Sequence, residues 1–174
     1  KMKPLISIIV NCRNGSKYLE KCLISIKSQK LQDWELIFYD NNSTDDSFKI
    51  YQKIKNDKFR YYKSTKTETL YKARNLACRA SKGKYIAFLD VDDWWDEEYL
   101  SSRYEALQNE EYDFFYSNAL FYLEKKNKFE KYKNFDLPNG IIFKNLAKDY
   151  FVIISGLIVK KIIIEKENFF NENY

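Results

Sequence analysis

No histidine occurs among the 174 residues, and that omission excludes more chemistry than any other feature of the composition. Imidazole general bases, Ser-His-Asp triads and His-ligated metals are all removed, so acid–base or metal chemistry must rest mainly on carboxylates. Glycine is also scarce. Gly15, Gly83, Gly140 and Gly156 are too few and too scattered to build a glycine-rich cradle for phosphates. Cys12, Cys22 and Cys78 are odd in number, widely spaced and mostly set among apolar residues, which reads as reduced core thiols rather than disulfides or zinc ligands. The longest apolar stretch, around Phe151 to Val159, falls far short of a membrane span. The N-terminus lacks the layout of a signal peptide, so the expected location is the cytoplasm. There is no internal repeat.

What is present describes one soluble globular domain. Hydrophobic residues make up 45% and charged residues 32% of a length that suits a three-layer core. The net charge of +5 gathers around Lys125 to Lys133. That run reads as a solvated loop, with attraction to an anionic membrane surface or a phosphorylated acceptor as a second reading. No nucleic-acid-binding motif accompanies the charge.

Along the chain, strand and helix patterns alternate. Pro4 to Val10 is rich in β-branched residues and reads as a strand, followed by a helix with Leu19, Cys22, Leu23 and Ile26 on one stripe. Trp34 to Tyr39 is a second strand. Ser43 and Asp46 resemble a capping box before a helix marked by Ser47, Ile50, Tyr51 and Ile54. Phe59 to Tyr62 is a short third strand, and a helix from about Leu70 carries Ala73, Ala77 and Ala80, with Gly83 near its expected C′ position. Ile86 to Leu89 is a fourth strand, buried on both faces. This alternation predicts a mostly parallel sheet with right-handed crossovers. Beyond Trp95 the reading is a helix with Leu100, Tyr104 and Leu107 on one face, and a strand from Tyr112 running on towards Tyr122. A polar connection over Glu124 to Asp136, a turn at Pro138-Asn-Gly140, a short helix around Phe143 to Tyr150 and a strand from Val152 to Val159 complete it.

The fourth strand runs straight into Asp90-Val-Asp-Asp93. In open α/β sheets the carboxyl ends of strands are where ligands bind. Carboxylates so close together repel unless a cation sits among them, and hard oxygen ligands suit Mg²⁺ or Mn²⁺. The plainer reading is that these acids, with Asp96, start the next helix, where they complement its dipole. That accounts for Asp96 better than for Asp90 and Asp92, which lie further from the helix than a cap needs.

Four segments together carry a family resemblance: Asn11-Cys-Arg-Asn14 after the first strand, Leu31 to Asp45 around Tyr39-Asp-Asn-Asn-Ser43, Ala73-Arg-Asn75, and Gly83 to Asp93. In this order and spacing over the first 95 residues they resemble family-2 glycosyltransferases of the GT-A fold. The resemblance implies a three-layer α/β sandwich. Residues 1–95 would form the nucleotide-sugar-binding half and residues 96–174 the start of an incomplete acceptor half. It also implies inverting transfer of a sugar from a nucleotide diphosphate donor, commonly a UDP-sugar, to a saccharide or lipid-linked acceptor, in bacterial surface polysaccharide synthesis. By the same resemblance Val10, Asn11 and Arg13 lie along the nucleotide, Asp40 bonds the base and Arg74 faces the sugar donor. Asp90 and Val91 lie near the ribose or sugar, Asp92 is the metal ligand with Asp90 beside it, and Asp93 supports them. Mn²⁺ or Mg²⁺ is the implied cofactor. This chain has Arg13 where the family often has tyrosine.

Each assignment has a structural alternative. Asp40 could close an Asx turn, Arg74 could sit in a surface salt bridge, and Trp94 or Trp95 could pack in the core rather than stack on a ligand. Asn14 and Asn75 read as local hydrogen-bonders to backbone. The family's acidic motif that holds the catalytic base is absent. The base is therefore expected beyond Tyr174 and the chain is expected to be truncated, so that it could bind a sugar donor without turning over. Two other classes stay open: a haloacid-dehalogenase-like Mg²⁺ phosphatase and an inactive donor-binding module.

Overall fold

The computed structural model describes residues 3–108, 111–167 and 170–172. Strands β1 (Ile6–Cys12), β2 (Trp34–Asp40), β3 (Phe59–Lys63) and β4 (Tyr85–Phe88) are mutually parallel. Helices α1 (Ser16–Lys27), α2 (Ser47–Ile54) and α3 (Leu70–Ala80) connect them. The later elements are α4 (Tyr104–Gln108), β5 (Phe114–Phe115), β6 (Leu120–Leu123), β7 (Lys128–Lys131), α5 (Phe143–Leu146), β8 (Ile158–Lys160) and α6 (Lys161–Glu167). The main sheet has six strands in the order β3-β2-β1-β4-β8-β5, with β8 antiparallel to both β4 and β5.

Strand periodicity divides the core into two layers. Ile6, Ile8, Val10, Leu36 and Phe38 face α1 and α2, where they meet Leu19, Leu23, Ile26, Tyr51 and Ile54. Ile9, Ile37, Tyr39, Ile86 and Phe88 face α3 and meet Ala73, Ala77 and Cys78. A two-sided strand needs cover on both faces, and this is why β1, β2 and β4 carry apolar residues on both. Each fully buried Ile or Leu is worth about 1.5–3 kcal/mol of transfer free energy. All three cysteines are free and buried, as expected of core thiols.

Several local expectations give way. The Ser43–Asp46 capping box does not form: Asp46 is the N-cap residue of α2 but its side chain caps nothing. Asp45 takes that role, accepting from Ser47 N at 3.1 Å and from Ser16 N at 2.9 Å, so one carboxylate serves the first residues of both α1 and α2. Gly83 is not a C′ glycine. Ser81 caps α3, and a Cβ at Gly83 would lie 2.5 Å from Ser7 N, so close approach to β1 is what demands glycine there. Tyr104 is exposed, while Leu100 and Leu107 are buried. The strand expected from Tyr112 towards Tyr122 breaks into β5 and β6, which belong to different sheets. The polar connection contains β7, which pairs with β6 as a ribbon. Ile154–Gly156 is a 3₁₀ turn, which leaves only Ile158–Lys160 as strand.

The chain steps outward from β1 to β2 and β3, then returns to place β4 on the other side of β1. The point where the strand order reverses therefore lies between the carboxyl ends of β1 and β4, where open α/β sheets form a ligand crevice.

Candidate functional site

Leu89 N donates to Ile9 O at 3.0 Å, and this continues the β1–β4 register one residue past β4 and delivers the acid loop to the crevice. The loop is a tight turn, with Asp93 N donating to Asp90 O at 3.0 Å. Arg74 of α3 reaches Asp90 Oδ1 at 2.6 Å, and the arginine side chain is 9% exposed against 37% for the aspartate. Ser155, next to β8, accepts from Asp90 N at 3.1 Å and donates to Asp93 Oδ2 at 2.5 Å. Burial pushes the Asp93 carboxyl up, the Ser155 bond lowers it in part, and the charges of Asp92 and Asp90 raise it again. Asp92 is exposed. Val91 packs on the loop after β1, where a Cβ at Gly15 would come within 2.7 Å of its Cγ2.

Of the two tryptophans, Trp95 takes the core role. Trp95 is buried, stacks on Tyr99 at 4.3 Å between ring centroids and donates from Nε1 to Ser155 O at 2.7 Å. Trp94 is half-buried with Lys21 Nζ 3.1 Å from its ring centroid. Asp96 accepts from Glu98 N at 2.9 Å and so ends up as a local turn former.

The other end of the crevice is built by β1 and β2, with Cys12 opposite Asp40. Asp40 is 1% exposed. Its Oδ1 accepts from Ser43 N at 2.7 Å and its Oδ2 from Tyr61 OH at 2.6 Å, so in this structure it closes the turn after β2. Burial, then the bond to Asp40, pushes the Tyr61 hydroxyl well above its ordinary value. Asn11 lies on β1 between these two ends, and its Nδ2 is buried with no partner among the described residues. Val10 is fully buried, so only its backbone could touch a ligand. Arg13 is exposed. Asn14 adopts φ 54° and ties the two loops together, donating from N to Ser43 Oγ at 3.1 Å and accepting from Thr44 N at 2.8 Å. β2 and β4 flank β1, so the Asp40 end and the Asp90 end lie two strand spacings apart, about 10 Å.

The structure thus gathers Arg74, Asp90, Val91, Asp92 and Asp93 at one end of the crevice and Asp40 at the other, with Asn11 between. Among the described residues no three His, Cys, Asp or Glu side chains are grouped so as to hold a metal ion by themselves. The exposed Asp92 and the half-buried Asp90 nonetheless suit a cation of the Mg²⁺ type, which binds through one or two carboxylates and completes its shell with substrate phosphates and water.

The model of the family described as glycosyl transferase family 2 matches residues 7–167. This chain belongs to that family. The match sets aside the phosphatase reading. Among relatives of this family 2 member, UDP-Glc:alpha-D-GlcNAc-diphosphoundecaprenol beta-1,3-glucosyltransferase WfaP of Escherichia coli is 36% identical over 121 residues, covering 70% of this chain and 47% of WfaP. S. aureus TarS 1-349, solved in complex with UDP-GlcNAc, superimposes with a TM-score of 0.72 at 18% identity, covering 97% of this chain and 48% of that one. Mannosyltransferase PcManGT from Pyrobaculum calidifontis, solved with GDP-Man and Mn²⁺, gives a TM-score of 0.69 at 15% identity, covering 95% and 47%. At such identities the likeness shows the fold, which is GT-A. The family 2 chain spans about half the length of these three proteins.

Sequence reasoning missed Ser155, Tyr61 and Asp45. A single serine inside the apolar run Phe151 to Val159, or a tyrosine inside the short strand β3, carries no sign of its partner, and each gains its role from a residue on another element. The signal available for Asp45 was its place in the Asp-rich loop after β2, but nothing local shows that it reaches across to Ser16.

Proposed function

We propose that this chain forms the donor-binding part of a glycosyltransferase that moves a sugar from a nucleotide diphosphate donor, a UDP-sugar, to an acceptor hydroxyl with inversion. The observation that carries this reading is the acid loop at the β1–β4 reversal, where Asp90 is braced by Arg74 and Asp92 stands exposed beside it. The names of WfaP and of the TarS complex support a UDP-sugar, and that of the PcManGT complex supports a divalent metal. The diphosphoundecaprenol acceptor in the WfaP name supports a saccharide or lipid-linked acceptor, and bacterial surface polysaccharide synthesis is the setting proposed with it. No helix among the described residues is long and apolar enough to cross a membrane. The exposed Lys125, Lys126, Lys128 and Lys131 suit peripheral contact with an anionic inner membrane face.

In this reading Asp92, with the oxygen of Asp90 that Arg74 leaves open, holds Mn²⁺ or Mg²⁺. A bound divalent cation neutralises the charge that develops on the diphosphate as the glycosidic bond breaks. Arg74 fixes the rotamer of Asp90, and Asp93 holds the loop in its turn through Ser155. Asn11 Nδ2 offers an unspent hydrogen-bond donor between the two ends, Arg13 adds positive charge at the rim, and the Val10 backbone and Val91 line the floor. Asp40 takes the base N–H on the oxygen now bonded to Tyr61, exchanging one hydrogen-bond donor for another. No general base is assigned among these residues.

Calorimetry with UDP, GDP, CDP and dTDP, each with and without Mn²⁺, tests the reading. One diphosphate should bind in a metal-dependent manner, and Asp92→Ala should abolish the dependence. Equal affinity with and without metal in the native chain would overturn it.

A further inference from the structure

α3 presents two consecutive side chains to two different partners. Arg74 points to the acid loop, and Asn75, itself 5% exposed, points to the chain segment at Phe170. The Asn75 amide grips the Phe170 backbone from both sides: Nδ2 donates to Phe170 O at 2.8 Å and Oδ1 accepts from Phe170 N at 3.3 Å. Nδ2 also donates to Glu172 Oε1 at 2.9 Å, and Arg79 reaches the same oxygen at 3.4 Å. A side-chain amide that satisfies both the N–H and the C=O of one residue substitutes for a strand partner and fixes that residue in register as well as in place.

What it fixes is the Phe170 ring. The ring lies 5.4 Å from the Arg74 guanidinium carbon, meets Phe88, the last residue of β4, edge-on at 5.5 Å, and touches Tyr71 at 6.3 Å. Arg74 is therefore held between the Phe170 ring and Asp90 Oδ1. Covering a guanidinium with an aromatic ring removes water from one of its faces and strengthens both the cation–π contact and the ion pair it makes elsewhere.

We propose that Asn75 and Phe170 are positioning residues of the sugar-donor site: Asn75 anchors Phe170, and Phe170 keeps Arg74 locked on Asp90, so the segment around Phe170 sets the geometry of the acid loop. The consequence for ligand binding rests on the reading given under Proposed function, whereas the structural coupling does not.

The experiment measures amide hydrogen exchange in native protein, Asn75→Ala, Phe170→Ala and Phe170→Leu, together with UDP affinity in Mn²⁺. In both alanine variants exchange should speed up at residues 170–172 and also over 89–93, by about tenfold, with β1 and β2 unchanged. UDP should bind about tenfold more weakly, and Phe170→Leu, which keeps an apolar cover, should recover most of both. Faster exchange confined to 170–172, with the acid loop and UDP affinity unaltered, would overturn the proposal. If the acid loop responds but no variant and not even the native protein binds UDP, the coupling stands and the donor-site reading fails. Should Asn75→Ala not fold, the two Phe170 variants carry the comparison alone.

Discussion

Asp45 spends its carboxylate on two backbone amides that no strand or helix could satisfy, those of Ser16 and Ser47. Burial works against its ionisation, but the hydrogen bonds from Ser47 and Ser16 outweigh it and bring the pKa from 3.8 down to about 2. A carboxylate depressed in the folded state contributes stability that is complete above the unfolded value and is lost as pH falls through the folded one. Asp45→Asn should therefore cost about 1–2 kcal/mol at pH 7, and the gap to the native protein should close between about pH 4 and pH 2. Urea unfolding at pH 7 and pH 2.5 checks this, and an equal gap at both would refute it. Asn14 shows the same economy at a strained position, since its left-handed backbone is repaid by bonds to Ser43 and Thr44. The sequence marked Asn14 and Asn75 as local hydrogen-bonders to backbone, and both do bond backbone, but neither bond is local. What it could not show was that Asn14 bridges two loops and that Asn75 reaches a residue 95 positions away.

At the level of elements, long apolar runs were legible and their junctions were not. β1, β2 and β4 are buried on both faces, so composition alone separates them from the surface. The turn from α3 to β4 depends instead on a buried polar knot. Ser7 Oγ donates to Glu35 Oε1 at 2.7 Å and accepts from Gly83 N at 2.8 Å, and Lys82 N donates to the same Glu35 oxygen at 2.7 Å. Because a Cβ at Gly83 would sit 2.5 Å from Ser7 N and 2.8 Å from Ser7 Oγ, Gly83→Ala should push β4 off β1. It should lower stability by about 2 kcal/mol or more, read as a fall in the urea midpoint with an unchanged slope. The β6–β7 ribbon escaped notice because Lys128 to Lys131 is exposed throughout and lacks the one-sided apolar pattern by which a half-buried strand is recognised.

Across the whole molecule, the second half of the chain braces the acid loop that the first half delivers. β8 enters antiparallel to β4, and Ser155 beside it joins Asp90 N to Asp93 Oδ2 while its carbonyl receives the Trp95 indole. Ser155→Ala should remove the hydroxyl from both partners, cost about 1–2 kcal/mol in stability and weaken Mn²⁺-dependent UDP binding. Calorimetry beside urea unfolding would separate these effects, and unchanged affinity in a destabilised variant would show that Ser155 serves packing alone. The sequence by itself determined the parallel sheet, its two apolar layers and the carboxylates at the end of β4, because burial periodicity and the composition of a strand end are local properties. Only the tertiary structure decided which partners those carboxylates keep. Arg74 and Ser155 reach Asp90 from 16 and 65 positions away along the chain, brought there by sheet order and crossover handedness, which the periodicity of any one segment does not encode.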